Sequence, residues 1–67
     1  MIEVRIGRNI FPVVTFAVCH DGDLLIVFVN NNVFWGQSTR TGMLAPLKFD
    51  KKRGKTTWGG KVVKFVL

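Results

Sequence analysis

Six cations stand in the run KFDKKRGKTTWGGK, residues 48–61: Lys48, Lys51, Lys52, Arg53, Lys55 and Lys61. They surround one carboxylate, Asp50, and one large aromatic, Trp58. Cations at this density suit phosphate contact, because each one that neutralises a phosphate releases condensed counterions. Arg40, on a separate polar segment, and Lys61 are expected to extend this phosphate track. Single strands also need flat surfaces, and stacking a base on an aromatic ring is worth about 1–3 kcal/mol. Trp58, followed by Gly59 and Gly60, and Trp35, beside Gly36, are the expected platforms. The rival reading of the run is a solvated turn that keeps an apolar protein soluble and its edges unpaired. Core packing is the rival role for each tryptophan.

Other residue types that could do chemistry lead nowhere as strong. The segment FDKKRGKT, residues 49–56, matches the end of the phosphate-binding pattern G-x-x-x-x-G-K-[ST] in Gly54, Lys55 and Thr56. Phe49 replaces its first glycine and would obstruct the backbone cradle, and the chain is too short for the strand–loop–helix frame. A nucleotide-hydrolysing role is excluded on those grounds. Cys19 and His20 are sequence neighbours at a strand end, so their side chains point to opposite faces and make a poor nucleophile–base pair. Asp21 and Asp23 flank Gly22 and read as turn formers. No paired Cys or Cys/His spacing suits a structural metal. The chain is read as a non-enzyme without metal or cofactor.

Elements small enough for 67 residues must position these groups. One domain, residues 1–67, is expected, and a chain this size buries only about 60% of the surface its unfolded state exposes. A lone cysteine allows no internal disulfide and suits a reducing compartment. At 48% hydrophobic residues the chain is no disordered basic peptide, yet its longest strand-like apolar run, LLIVFV, is far below the ~20 residues of a membrane span. A soluble, cytoplasmic protein is expected. The net charge of +6 is uneven: residues 1–23 carry two arginines against three carboxylates, and residues 24–67 carry eight cations against Asp50. The second part is therefore the one suited to a polyanion.

Period-two alternation in IEVRI marks a half-exposed strand. IFPVVTFAVC and LLIVFV are apolar on both faces, and VFWGQ, MLAPLKF, TTW and KVVKFVL read as further extended segments. Between them lie GRN, HDGD, NNN, STRTG, the basic loop and Gly59-Gly60, turn signals spaced as in a small barrel or sandwich. Pro12 cannot donate to a ladder, which places it at a strand start or an edge. The central strands lack a polar face, so something must cover the outside: the terminal strands, or a second copy of the chain in a homo-oligomer.

Two of these stretches carry a family resemblance. GDLLIV, residues 22–27, looks like the Gly-Asp-x-Ile-x-Val segment of SH3 domains. FWGQSTRTGMLAPLKF, residues 34–49, is similar to their Trp-Trp-x-Gly, Arg-Thr-Gly and Pro-x-x-Tyr stretch, with Phe34-Trp35, Arg40-Thr41-Gly42, and Pro46 with Phe49 at the matching positions. The resemblance implies a five-stranded barrel and a shallow aromatic groove for proline-rich peptides. The family's Ala-Leu-Tyr-Asp-Tyr opening is missing, and the eighteen residues after Phe49 have no counterpart in it.

The fold expected is an all-β, five- to six-stranded SH3-like barrel, with an OB-like barrel as the alternative. The leading function is binding of nucleic acid at low sequence specificity through Arg40, Lys48, Lys51, Lys52, Arg53, Lys55, Lys61 and Trp58. The alternatives are a protein or peptide module, using Trp35, Pro46 and Phe49 against an acidic or proline-rich partner, and a structural oligomerising subunit. No membrane partner is expected.

Overall fold

The computed structural model describes residues 2–66. Among the described residues seven antiparallel strands follow one another: β1 (Glu3–Ile6), β2 (Asn9–Cys19), β3 (Leu24–Asn30), β4 (Val33–Ser38), β5 (Leu44–Asp50), β6 (Lys55–Trp58) and β7 (Lys61–Val66). Each pairs with its successor, and β2 also pairs with β7, so β2 to β7 form a closed ring of hydrogen-bonded strands. Among the described residues there is no helix, hence none long and apolar enough to cross a membrane. Seven strands form where five or six are expected. All seven extended segments of the sequence become strands; six of them, β2 to β7, make the ring, while β1 stays outside it on β2. Leu67, the end of the expected closing strand, lies outside the described residues.

Turn chemistry places the strand ends. Asn31 and Asn32 adopt φ of 53° and 62°, the left-handed pair that matches the twist of a two-residue hairpin between β3 and β4. Inside the ring, Ala17, Cys19, Leu25, Val27, Trp58 and Val63 form one buried cluster, with Ala45 and Leu47 against it. Cys19 is 1% exposed and burial pushes its thiol pKa up, whereas His20 is exposed, so the two neighbours face opposite ways.

A bulge in β2 decides how the outside is covered. Thr15 pairs with Val27, but Val13 pairs with Phe28, so Val14 is an extra residue. A one-residue shift flips side chains to the other face. Phe11 and Val13 thus point outward with Phe28, and the Phe11 and Phe28 rings stack at 4.9 Å between centroids. Ile6 of β1 and Leu44 of β5 line one cavity with Phe11, Phe28 and Trp35. In a flat sheet these two strands would lie about 19 Å apart at the usual strand spacing. The β1–β2 hairpin therefore curls across the outward face of β3 and β4, and Phe28 is only 2% exposed. Pro12 pairs with Glu3, just before the β2–β3 ladder begins. Val13 donates its N–H to Ile2 at 2.8 Å on the β1 side, so the missing proline donor faces away from β1.

One buried polar network closes the end of the ring formed by the β2–β3 and β4–β5 turns. The Asp23 carboxylate, 6% exposed with its residue, accepts the Ser38 hydroxyl at 2.7 Å. Ser38 Oγ accepts the N–H groups of Arg40 and Thr41, and Arg40 Nη2 lies 3.8 Å from Asp23. Removing the hydroxyl strands a buried carboxylate, and hydrogen bonds to charged groups are worth about 1.5–3 kcal/mol. Ser38→Ala should lower urea-unfolding stability by about 2–3 kcal/mol, and Arg40→Ala by less, because that guanidinium is largely solvated. Equal and small losses for the two variants would remove the network from the account of stability.

Candidate nucleic-acid interface

The basic run is the β5–β6 hairpin. Asp50 Oδ1 accepts the N–H groups of Lys52 at 3.0 Å and Arg53 at 3.4 Å, and Gly54 supplies φ of 62° before β6 begins. The single carboxylate of the run thus shapes its turn. Cross-strand pairing of Lys48 with Thr57 and of Asp50 with Lys55 puts these four residues on the outward face, while Lys51, Lys52 and Arg53 occupy the turn. Among the described residues, Lys48, Lys51, Lys52 and Lys55 have no carboxylate within ion-pairing distance. Arg53 Nε reaches Asp50 only at 4.0 Å, with both side chains well exposed. Five cations against one carboxylate leave this hairpin strongly positive.

Arg40 and Lys61 do not join this track. Turns of a meander alternate between the two ends of a ring, which puts residues 39–43 and 59–60 opposite residues 51–54. Lys55 and Trp58 alone are about 10 Å apart along β6 at the usual strand rise. Both outlying cations also have partners: Arg40 faces Asp23, and Lys61 Nζ donates to Asp21 Oδ2 at 2.7 Å.

The Lys61 ammonium, followed by the Asp23 N–H, lowers the Asp21 carboxyl to about 2, and the same contact raises Lys61. A carboxyl depressed on folding stabilises fully above its ordinary pKa near 4 and stops doing so as pH falls through 2. Wild-type urea midpoints should therefore drop more steeply between pH 4 and 2 than those of Asp21→Asn. Parallel curves would show that the pair adds nothing, as many exposed pairs do.

The expected stacking role of Trp58 is corrected by its burial. The indole is 2% exposed, sits in the core cluster and donates Nε1–H to the Gly36 carbonyl at 2.9 Å. A base cannot reach it. Its pairing with Leu47 turns it into the ring, and Gly36 makes room, since a Cβ there would stand 3.0 Å from the indole. Trp35 is half-buried and lines the cavity beneath the β1–β2 hairpin.

The alternative peptide groove is not assembled. Trp35 and Pro46 are partners across β4 and β5 on the outward face. Phe49, three residues beyond Pro46, points to the opposite face and lines a different cavity.

That cavity has no counterpart among the sequence-based expectations. Phe34, Leu47, Phe49, Thr56 and Phe65, with Lys48 at the side, line an open mouth of about 250 Å³ at the basic-hairpin end of the ring. Phe34, Phe49 and Phe65 are 49%, 64% and 41% exposed. They continue the inward-facing rows of β4, β5 and β7 past the point where the core ends. The available signal is their position two residues from Gly36, Leu47 and Val63, and it becomes readable only with the strand register.

No family model matches the chain, nor does any curated protein or solved structure. Fold and site define a small antiparallel β domain with a basic hairpin beside an aromatic mouth.

Proposed function

We propose that the chain is an SH3-like barrel module that binds nucleic acid without catalysis and with low sequence specificity. The observation that carries this reading is the β5–β6 hairpin, which bears Lys48 and Lys55 on its outward face and Lys51, Lys52 and Arg53 on its turn, around a carboxylate engaged with that turn. Phosphate contacts from such side chains set affinity and position, but read few base edges. The outlying cations Arg40 and Lys61 take no part, because each faces a carboxylate at the other end.

The test is titration of a generic oligonucleotide across salt. With four or five phosphate contacts on a single strand, log K should fall with log salt at a slope of about −3. Between about 50 and 200 mM salt that is a loss of roughly 60-fold. A flat response, or no binding at low salt, would sink the proposal.

A further inference from the structure

We infer that the mouth ringed by Phe34, Phe49 and Phe65 receives an unstacked nucleobase, so that the ligand is single-stranded nucleic acid held by one base and its flanking phosphates. This rests on the nucleic-acid reading above and deepens it. The three rings are exposed and line one cavity of about 250 Å³. An apolar cavity of roughly 150 Å³ already accepts a benzene ring, so this one is sized for a single base. Thr56 adds a hydroxyl, which donates or accepts and so suits the edge of any base.

Charge chooses among possible occupants. Lys48 lines the mouth itself, and Lys51 to Lys55 begin two residues beyond Phe49. A second copy placed mouth to mouth would bring two positive hairpins together, whereas a base carries phosphates on both sides to meet them. Duplex is disfavoured by the same geometry. A paired base would have to leave its stack to enter a concave site, at a cost of a few kcal/mol that a single strand avoids.

The experiment compares three probes at one low salt concentration: an oligodeoxythymidylate of roughly twelve nucleotides, an abasic backbone of equal length, and a blunt duplex. The thymidylate should bind about tenfold more tightly than the abasic strand. Phe49→Ala and Phe34→Ala should erase that difference while leaving the salt slope unchanged. Phe49 is the most exposed of the three, so its variant should keep the wild-type urea midpoint, and Phe49→Leu offers a second, apolar replacement.

Equal affinity for thymidylate and abasic strands, or equal or tighter binding of duplex, overturns the inference and leaves a phosphate-binding module standing. Failure to bind any of the three at low salt overturns the nucleic-acid reading and this inference together. A dimer that Phe49→Ala dissociates, with oligonucleotide binding unchanged, assigns the mouth to a second copy and also overturns it.

Discussion

Changing Lys51 and Lys52 together to glutamate should weaken binding of a single-stranded oligonucleotide by at least about 60-fold near 50 mM salt. The magnitude follows from counterion release. Each neutralised phosphate contributes about 0.7 to the slope of log K against log salt, or roughly 0.9 decades at 50 mM relative to 1 M. Removing the two lysines that neutralise a phosphate each costs about 1.8 decades, before any repulsion from the new carboxylates. The slope itself should shrink by about 1.4, so wild-type and variant affinities converge as salt rises. Folding should be unaffected, because both lysines sit on an exposed turn shaped by Asp50 and Gly54 through the backbone. Reversing Lys61 serves as the contrast: it disturbs an ion pair with Asp21 at the far end and should leave affinity close to wild type. An unchanged slope in the double variant would mean that the hairpin does not touch phosphate.

Trp58→Ala should have the largest effect on stability. Emptying the space of a buried tryptophan costs about 3–5 kcal/mol. The whole domain holds only about 3–10 kcal/mol at the usual stability per residue. Much of the population should therefore unfold, or do so at a far lower urea midpoint. Trp58→Phe separates packing from hydrogen bonding: it keeps a ring in the core but takes the Nε1 donor from Gly36, at roughly 1–3 kcal/mol. Gly36→Ala probes the same contact from the other side: its Cβ would sit 3.0 Å from the indole and 3.2 Å from Leu47 Cδ1, so both must shift by a few tenths of an ångström. Overpacking of a filled core costs about 1–3 kcal/mol where they do not yield. Phe49→Ala should leave the midpoint near wild type. If Trp58→Ala does so too, the indole is not the keystone of this core.

These outcomes divide along the same line as the legibility of the sequence. Turn residues announce the strands well, because a left-handed backbone is a local demand: Asn31, Asn32, Gly54, Gly59 and Gly60 all have positive φ between strands. The facing of side chains is less legible, because it depends on register across the sheet. Nothing local in FPVVTF marks Val14 as the extra residue that turns Phe11 toward Phe28. Nor does KTTWGG show that Trp58 points inward, a fact set by Leu47 on one side and the missing Cβ of Gly36 on another strand. The separation of Arg40 and Lys61 from the basic turn is within reach of the sequence, since successive hairpins must alternate ends. Phe34, Phe49 and Phe65 come from three different strands, and only ring closure brings them to one cavity.

Ring closure also has a kinetic side. Every ladder but one joins strands linked by a short turn, and such local pairings form early and cheaply. The exception is the β2–β7 seam, where Phe16 meets Val66 and Cys19 meets Val63 across most of the chain. Its closure bears the entropy of a long loop, a cost that grows only slowly with loop length but is met in a single step. Phe65 stands on this seam opposite Ala17. One wall of the mouth is thus hung on the joint that closes the longest loop, and a ligand that fills the mouth would also act as a clasp on the ring.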